Sequence, residues 1–426
     1  MDAPDLKRLA DTCVHCGFCL STCPTYELWG QEMDSPRGRI QLMKLGLEGA
    51  ELTDSTVNHM DRCLGCMACV TACPSGVRYD VLITAKRAEV EEQHPRTASE
   101  RWLRRLIFAL FPYPRRLRLL RWPLRIAQWL RLDRLATRTL SRRAPRLATM
   151  ATLAPRAGAR PRLPQRIAAS GDKRATVGML TGCVQGEFFP QVNAATARVL
   201  AAEGCEVVIP PGQGCCGALS LHTGRRAEAT NFAKATIEAF EAAGVDTIVV
   251  NAAGCGSAMK EYDELFADDP NWERRARDFV AKVRDVSQYL AELGPRGPRH
   301  ALNLTVAYHD ACHLAHAQRV RAQPRELLRG IPGLDVREIA DAEICCGSAG
   351  VYNILQPKAA SELGDRKAAN VLDTNAELLV SANPGCAMQI AAAVTRRGES
   401  LPVAHIVEVL DAAIRGDDPA KLLDRG

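Results

Sequence analysis

The 426-residue sequence predicts a multidomain α and α/β protein: a helical N-terminal domain organised by cysteines, followed by a duplicated α/β domain with parallel sheets. Three observations predict it. Two copies of one cysteine word lie between residues 13 and 74. A cysteine pattern of the second half recurs at an offset of about 130 residues, and short apolar runs alternate there with longer helical stretches. Hydrophobic residues make up 47% and aromatics only 5%, a balance that suits helix-rich or α/β architecture better than an all-β shell.

The two words are C-VH-C-GF-C-LST-C-P, from Cys13 to Pro24, and C-LG-C-MA-C-VTA-C-P, from Cys63 to Pro74. Each is C-x2-C-x2-C-x3-C-P, the spacing in which three thiolates hold one four-iron cluster and the fourth serves another. Two words in one domain therefore predict two [4Fe-4S] clusters with crossed ligation. Cys13, Cys16, Cys19 and Cys73 would hold the first, and Cys63, Cys66, Cys69 and Cys23 the second. Structural zinc is disfavoured, because zinc words usually pair C-x2-C with a distant second pair. The intervening segments SPRGRIQLMKLGLEG (35–49) and DSTVNHMDR (54–62) read as helices capped by Ser35 and Asp54. A further helix, VLITAKRAEVEEQ (81–93), is stopped by Pro95. Residues 1–95 are thus expected to form an α-helical ferredoxin domain.

Residues 96–170 read as a linker of unusual charge. Fourteen arginines and one acid, Asp133, lie between Arg101 and Arg146, while the whole chain carries only +6. Arginines alternate with Leu, Trp and Phe at three- and four-residue intervals, the pattern of amphipathic basic helices, with breaks expected at Pro112, Pro114 and Pro123. One reading is a membrane-surface helix on anionic lipid with Trp102, Trp122 and Trp129 as interfacial anchors. Another is packing against the protein's own domains or a partner subunit, with arginine outward. Nucleic-acid binding is not expected, since no recognition fold accompanies the segment.

The rest divides into two copies, expected at 171–298 and 299–426. Cys312 follows Cys183 by 129 residues, Cys345 follows Cys215 by 130, and Cys386 follows Cys255 by 131. So small a drift marks an internal duplication. Apolar strands (TVGML, CEVVIP and TIVVN, then TVAYH and ELLVSA) alternate with helical stretches such as FPQVNAATARVLAAEG, which is βαβ patterning. Loops at the carboxyl ends of parallel strands converge on one crevice. Cys183, Cys215, Cys216 and Cys255 are therefore expected to meet, as are Cys312, Cys345, Cys346 and Cys386. Four thiolates call for a soft metal. Adjacent cysteines rarely aim at one zinc ion, so a further iron-sulfur cluster in each repeat is preferred over zinc or an empty thiol site. His309 and His313 flank Cys312 as candidate ligands or cofactor contacts. Cys205 lacks a counterpart and reads as a buried thiol. GQGCCG (212–217) matches G-x-G-x-x-G, but the second repeat keeps the cysteines and loses the first two glycines, so no nucleotide or flavin is expected on this chain.

No apolar leader precedes the first word, and LIFALF (106–111) is far short of a membrane span. With seventeen cysteines and no sign of export, the expected location is cytoplasmic, with a peripheral place on the inner membrane's cytoplasmic face if the basic segment meets lipid.

Two ferredoxin words followed by two CCG repeats resemble the iron-sulfur subunit of glycolate oxidase over nearly the whole chain. The closest matches are SPRGRIQLMK (35–44), GCVQ with NAATARVLAAEG (182–204), YHDACHLAHAQ (308–318), CCGSAGVYNILQP (345–357) and SANPGCAMQ (381–389). The resemblance implies an electron-transfer subunit that receives electrons from separate FAD-containing subunits oxidising glycolate to glyoxylate. It passes them to a membrane, quinone-type acceptor. Related architectures occur in subunits of anaerobic glycerol-3-phosphate dehydrogenase and of heterodisulfide reductase, and a partner acting on D-lactate would leave the same signature. In heterodisulfide reductase the CCG domain ends in C-x-x-C. Here Ala258 and Gln389 stand at the last position, which argues against a five-thiolate noncubane cluster and against disulfide-reducing chemistry. A zinc-stabilised scaffold is the alternative of another class.

Overall fold

The computed structural model describes residues 3–130, 145–155 and 161–424. Among the described residues before Arg166 there is no strand. Ser35 caps the helix Pro36–Leu47 as expected, its hydroxyl accepting from the Gly38 amide. The helix Asp54–Arg62 is capped by Thr53 instead of Asp54: the Thr53 hydroxyl accepts from the Thr56 amide, which places the cap one residue earlier. The helix Tyr79–Gln93 begins two residues before the expected start. These helices enclose a small core in which Ile40, Met43, Met60, Leu82 and Ile83 pack around Cys63 and Cys69.

The basic segment forms the helices Ala98–Leu110 and Pro114–Trp129, followed by Pro145–Leu153. The break at Pro112 and Pro114 is present, with Pro114 at the first helical position. Pro123, expected to break the chain, lies inside the second helix. The carbonyl that loses its amide partner there belongs to Leu119, whose side chain is 75% exposed, so water can replace the missing donor. Inner residues of both helices are committed to the protein itself. Leu103, Ile107 and Phe108 pack on Val351 and Ile354, and Leu117 packs beside Cys183 and Cys215. Arg118 reaches the buried Glu187 at 3.0 Å.

The strands are β1 (Arg166–Ile167), β2 (Ala175–Met179), β3 (Cys205–Val208), β4 (Thr247–Val250), β5 (Val283–Asp285), β6 (Leu304–His309), β7 (Leu334–Glu338), β8 (Leu378–Ser381) and β9 (Val403–His405). The first sheet runs β1-β3-β2-β4-β5 and the second β7-β6-β8-β9. All pairings are parallel except β1 on β3. With β1 set aside, the two orders are identical, so the duplication read from cysteine offsets is a duplication of topology. β1 starts the first sheet inside the stretch assigned to the linker, because a two-residue edge strand has no alternation to read. In each sheet the order reverses beside the first strand of the repeat, the switch point where open α/β sheets form their crevice. One core runs through both sheets, with Val177, Leu200 and Val249 joined to Val306, Leu379 and Leu410. Arg198 and Asp411 pair across the junction, with Nε 2.9 Å from Oδ1.

Candidate metal centres

Cys13, Cys16, Cys19 and Cys73 line one small pocket, together with Cys69. Cys23, Cys63, Cys66 and Cys69 are all buried. Burial pushes the Cys69 thiol well above the usual range, and its charged neighbours Cys66, Cys63 and Cys23 push the same way, as expected of sulfurs crowded about one point. Gly17 and Gly65 have φ of +88° and +66°, and a Cβ on either would stand 2.9 Å from a guanidinium nitrogen, of Arg37 and Arg87 respectively. Glycine thus lets an arginine close over each cysteine loop.

Those arginines, with Arg39, escaped the sequence reading. Arg39 is 1% exposed and spends its donors on the His59 carbonyl at 2.7 Å, the Thr25 hydroxyl at 3.0 Å and Asp34 at 3.4 Å. Burial opposes its charge, but Cys63, Tyr79, Cys23 and Asp34 around it hold the guanidinium charged more firmly than usual. Burial likewise raises the Cys63 thiol, and Arg39 and Arg87 outweigh it, holding Cys63 below the usual range. A buried cation beside Cys63 and Cys23 offsets the negative charge these sulfurs carry as ligands. The signal was present in SPRGR, an alternating pair of arginines between the two cysteine words.

In the repeats, the cysteines converge as the strand-end loops require. Cys183 precedes the helix Val184–Phe188, Cys215 and Cys216 follow β3, and Cys255 lies in the first turn of Ala253–Met259. The Cys183 and Cys215 sulfurs are 3.6 Å apart, and those of Cys312 and Cys345 are 3.9 Å apart. Hydrogen bonds from Cys215 and Cys255 hold Cys216 well below the usual thiol range, while contacts with Cys183 and Cys216 push Cys215 well above it. Cys345 and Cys386 do the same to Cys346. Largely buried thiol donor sets, with only Cys255 and Cys312 half-buried, fit iron-sulfur chemistry.

The two histidines part company. His309 lies with Cys346 and Cys386, their ligating atoms all within 4.8 Å of one another. His313 turns away: its Nε2 lies 2.8 Å from the Gly65 carbonyl, and its ring stands edge-on to His222 at 4.8 Å. It ties the second repeat to the ferredoxin domain, as does His316, whose Nδ1 is 2.7 Å from the Thr71 hydroxyl. Cys205 is fully buried, with its sulfur 3.8 Å from the Tyr289 hydroxyl, away from either quartet.

These ties bring the sites together. Cys66 shares an apolar cluster with Cys345 and Cys312. A cavity of about 240 Å³ is lined by Cys63 of the ferredoxin domain, by all four cysteines of the first quartet and by Cys312, Cys345 and Cys386 of the second. Leu64, Val90, Leu219 and Leu355 make much of its wall apolar. Gln185 and Tyr352 also line it, and the Gln185 amide atoms and the Tyr352 hydroxyl are buried with no hydrogen-bond partner among the described residues.

Comparison with known proteins accords with this layout. A 4Fe-4S dicluster domain matches residues 9–77, a cysteine-rich domain matches twice, at 177–260 and 306–391, and the linker region of glycolate oxidase iron-sulfur subunits matches 99–154. The "Probable glycolate oxidase iron-sulfur subunit" of Bacillus subtilis is 38% identical, over 93% of this chain and 92% of its own length. The chain belongs to the glycolate oxidase iron-sulfur subunit family. The Escherichia coli glycolate oxidase iron-sulfur subunit is 36% identical over 97% of this chain and 96% of its own length. Lactate utilization protein A of Shouchella clausii, at 33% identity, matches 98% of itself but only 55% of this member of the glycolate oxidase family. A solved hypothetical protein from Helicobacter pylori covers 95% of this chain and 78% of its own, with a TM-score of 0.52 at 8% identity, a likeness of fold alone.

Proposed function

We propose that this chain is the electron-transfer iron-sulfur subunit of a glycolate oxidase complex, taking electrons from FAD-containing partners that oxidise glycolate to glyoxylate. It delivers them to a quinone-type acceptor at the membrane surface. One observation carries the reading: a single, largely apolar cavity is lined by thiols of the ferredoxin domain and of both repeats. In this reading Cys13, Cys16, Cys19 and Cys73 hold one [4Fe-4S] cluster, Cys63, Cys66, Cys69 and Cys23 the other, and each CCG quartet a further iron-sulfur centre. Such centres, when bound, pass singly the electrons that a reduced flavin holds as a pair. The protein's residues do the rest. Arg39 and Arg87 offset thiolate charge, His313 and His316 fix the ferredoxin domain on the second repeat, and Gln185 and Tyr352 offer unspent hydrogen bonds to an acceptor. The full-length match to glycolate oxidase subunits, against half-length matches to lactate utilization proteins, favours glycolate as the partners' substrate.

The membrane part of the reading rests on the outer face of the basic helices. Trp102, Leu119, Trp122, Ile126 and Trp129 are 53–80% exposed and interleaved with arginine, while the inner face is already packed. No helix among the described residues is long and apolar enough to cross a membrane. An interfacial helix on anionic lipid fits that division, at about 1 kcal/mol per basic residue near the surface. Anionic liposomes should therefore retain the protein at low salt, and charge reversal at the exposed Arg105, Arg115, Arg116 and Arg125 should release it. Equal retention by neutral liposomes and by the reversed variant would assign this face to a partner subunit.

A further inference from the structure

Each repeat brings a matching quartet of cysteines together, but one residue beside the quartet sets them apart. His309 closes β6, where it pairs with Ser381 of β8. It is 2% exposed, and its Nε2 has no hydrogen-bond partner among the described residues. Leaving such a group unsatisfied costs about 1–3 kcal/mol, and the side chain that reaches this imidazole is Cys346, itself a candidate ligand. What surrounds it is sulfur. Its ligating atom and those of Cys346 and Cys386 lie within 4.8 Å of one another. Cys386 is itself oriented by the Asn383 amide, 3.4 Å from its sulfur.

The first repeat has no equivalent. The 129-residue offset of Cys312 from Cys183 places Leu180 opposite His309, and Leu180 is buried in an apolar core. Nor does position 389 supply a fifth donor to the second repeat. Gln389 donates to the Ala360 carbonyl at 2.7 Å and accepts from the Asn353 amide at 3.2 Å, so both ends of its side chain are engaged.

We propose that His309 is a ligand, through Nε2, of the iron-sulfur centre of the second repeat, beside Cys312, Cys345, Cys346 and Cys386. The two repeats then hold different centres, one ligated by thiolates alone and one by thiolates and an imidazole. Imidazole is neutral where thiolate is an anion, and histidine ligation of iron raises a cluster's potential. This ligation rests on the reading that the repeats hold iron.

The test uses the full-length chain, purified anaerobically after growth with 15N-histidine and examined by pulsed EPR in the reduced state. The ferredoxin clusters have cysteine ligands only, so a nitrogen coupling of ligand strength reports a histidine elsewhere. The expected result is such a coupling, lost in both His309→Leu and His309→Cys. His309→Leu copies the first repeat, whereas His309→Cys keeps a metal donor. His309→Cys should also retain wild-type iron and show a lower midpoint potential for one centre. Iron content separates the two ways of failing. Iron above the roughly eight atoms of two cubanes, without a histidine coupling, overturns the His309 assignment alone. Iron at that level, with zinc or nothing in the repeats, overturns the underlying reading and this proposal with it.

Discussion

Serine at Cys345 should reduce electron delivery by the assembled complex to background, while its flavin subunits continue to reduce an artificial dye with glycolate. Cys345 lies 3.9 Å from Cys312 and shares a cluster with Cys66, so it stands where the ferredoxin domain and the second repeat meet. Serine at Cys215, 3.6 Å from Cys183, should act likewise in the first repeat. In both variants the iron of the N-terminal domain should survive, because all eight of its cysteines come from residues 13–73 and neither substitution removes one of them. Turnover with a quinone acceptor and the iron content of the same preparation measure the two effects. Variants that bind their partners and turn over at the full rate would make the repeats architectural.

Replacing Arg39 by methionine should be the most destabilising single change in the ferredoxin domain. Methionine fills the volume but leaves the fully buried Asp34 with only His59 and Arg62 at 2.8 Å, and the Thr25 hydroxyl and His59 carbonyl lose a donor. Removing one member of a buried pair costs about 3–5 kcal/mol, and the two remaining partners of Asp34 place this case near the lower end. About 3 kcal/mol lowers the folded-to-unfolded ratio roughly a hundredfold. The iron held by Cys23, Cys63, Cys66 and Cys69 should be lost first, because Arg39 also faces Cys63 and Cys23. Iron content and the thermal midpoint of the anaerobic protein measure it. Lysine at the same position should recover part of the charge effect without the hydrogen bonds. A methionine variant with wild-type iron and midpoint would show that the charge of Arg39 is dispensable.

What could be read from the sequence depended on how local the signal was. The cysteine words were legible because cluster ligation fixes their spacing. β2, β3, β4, β6 and β8 were legible because strands buried on both faces are continuous apolar runs. β5 and β9 have three residues each, and β7 is an edge strand with exposed Asp335 and Glu338, so neither length nor apolarity marked them. Pro123 was read as a break because an interior proline removes a helix hydrogen bond, and only the structure shows that the carbonyl left over, that of Leu119, belongs to an exposed residue. The histidines show the limit best. His309 and His313 both lie within three residues of Cys312 in sequence, and only the turn between β6 and the π-helical His313–Ala317 sends one toward sulfur and the other to the Gly65 carbonyl. The common cavity joins three regions far apart in the chain and had no local signature.

The central claim is that electrons from glycolate pass through this chain on their way to the acceptor. Mixing the assembled complex anaerobically with glycolate alone and freezing it within one turnover tests this directly, with iron oxidation states read by Mössbauer spectroscopy and EPR. The account predicts that iron of both the ferredoxin domain and the repeats is reduced no more slowly than the complex turns over, and is reoxidised when quinone is added. Flavin that is reduced and reoxidised by quinone through steady turnover, while the iron stays oxidised throughout, would contradict it.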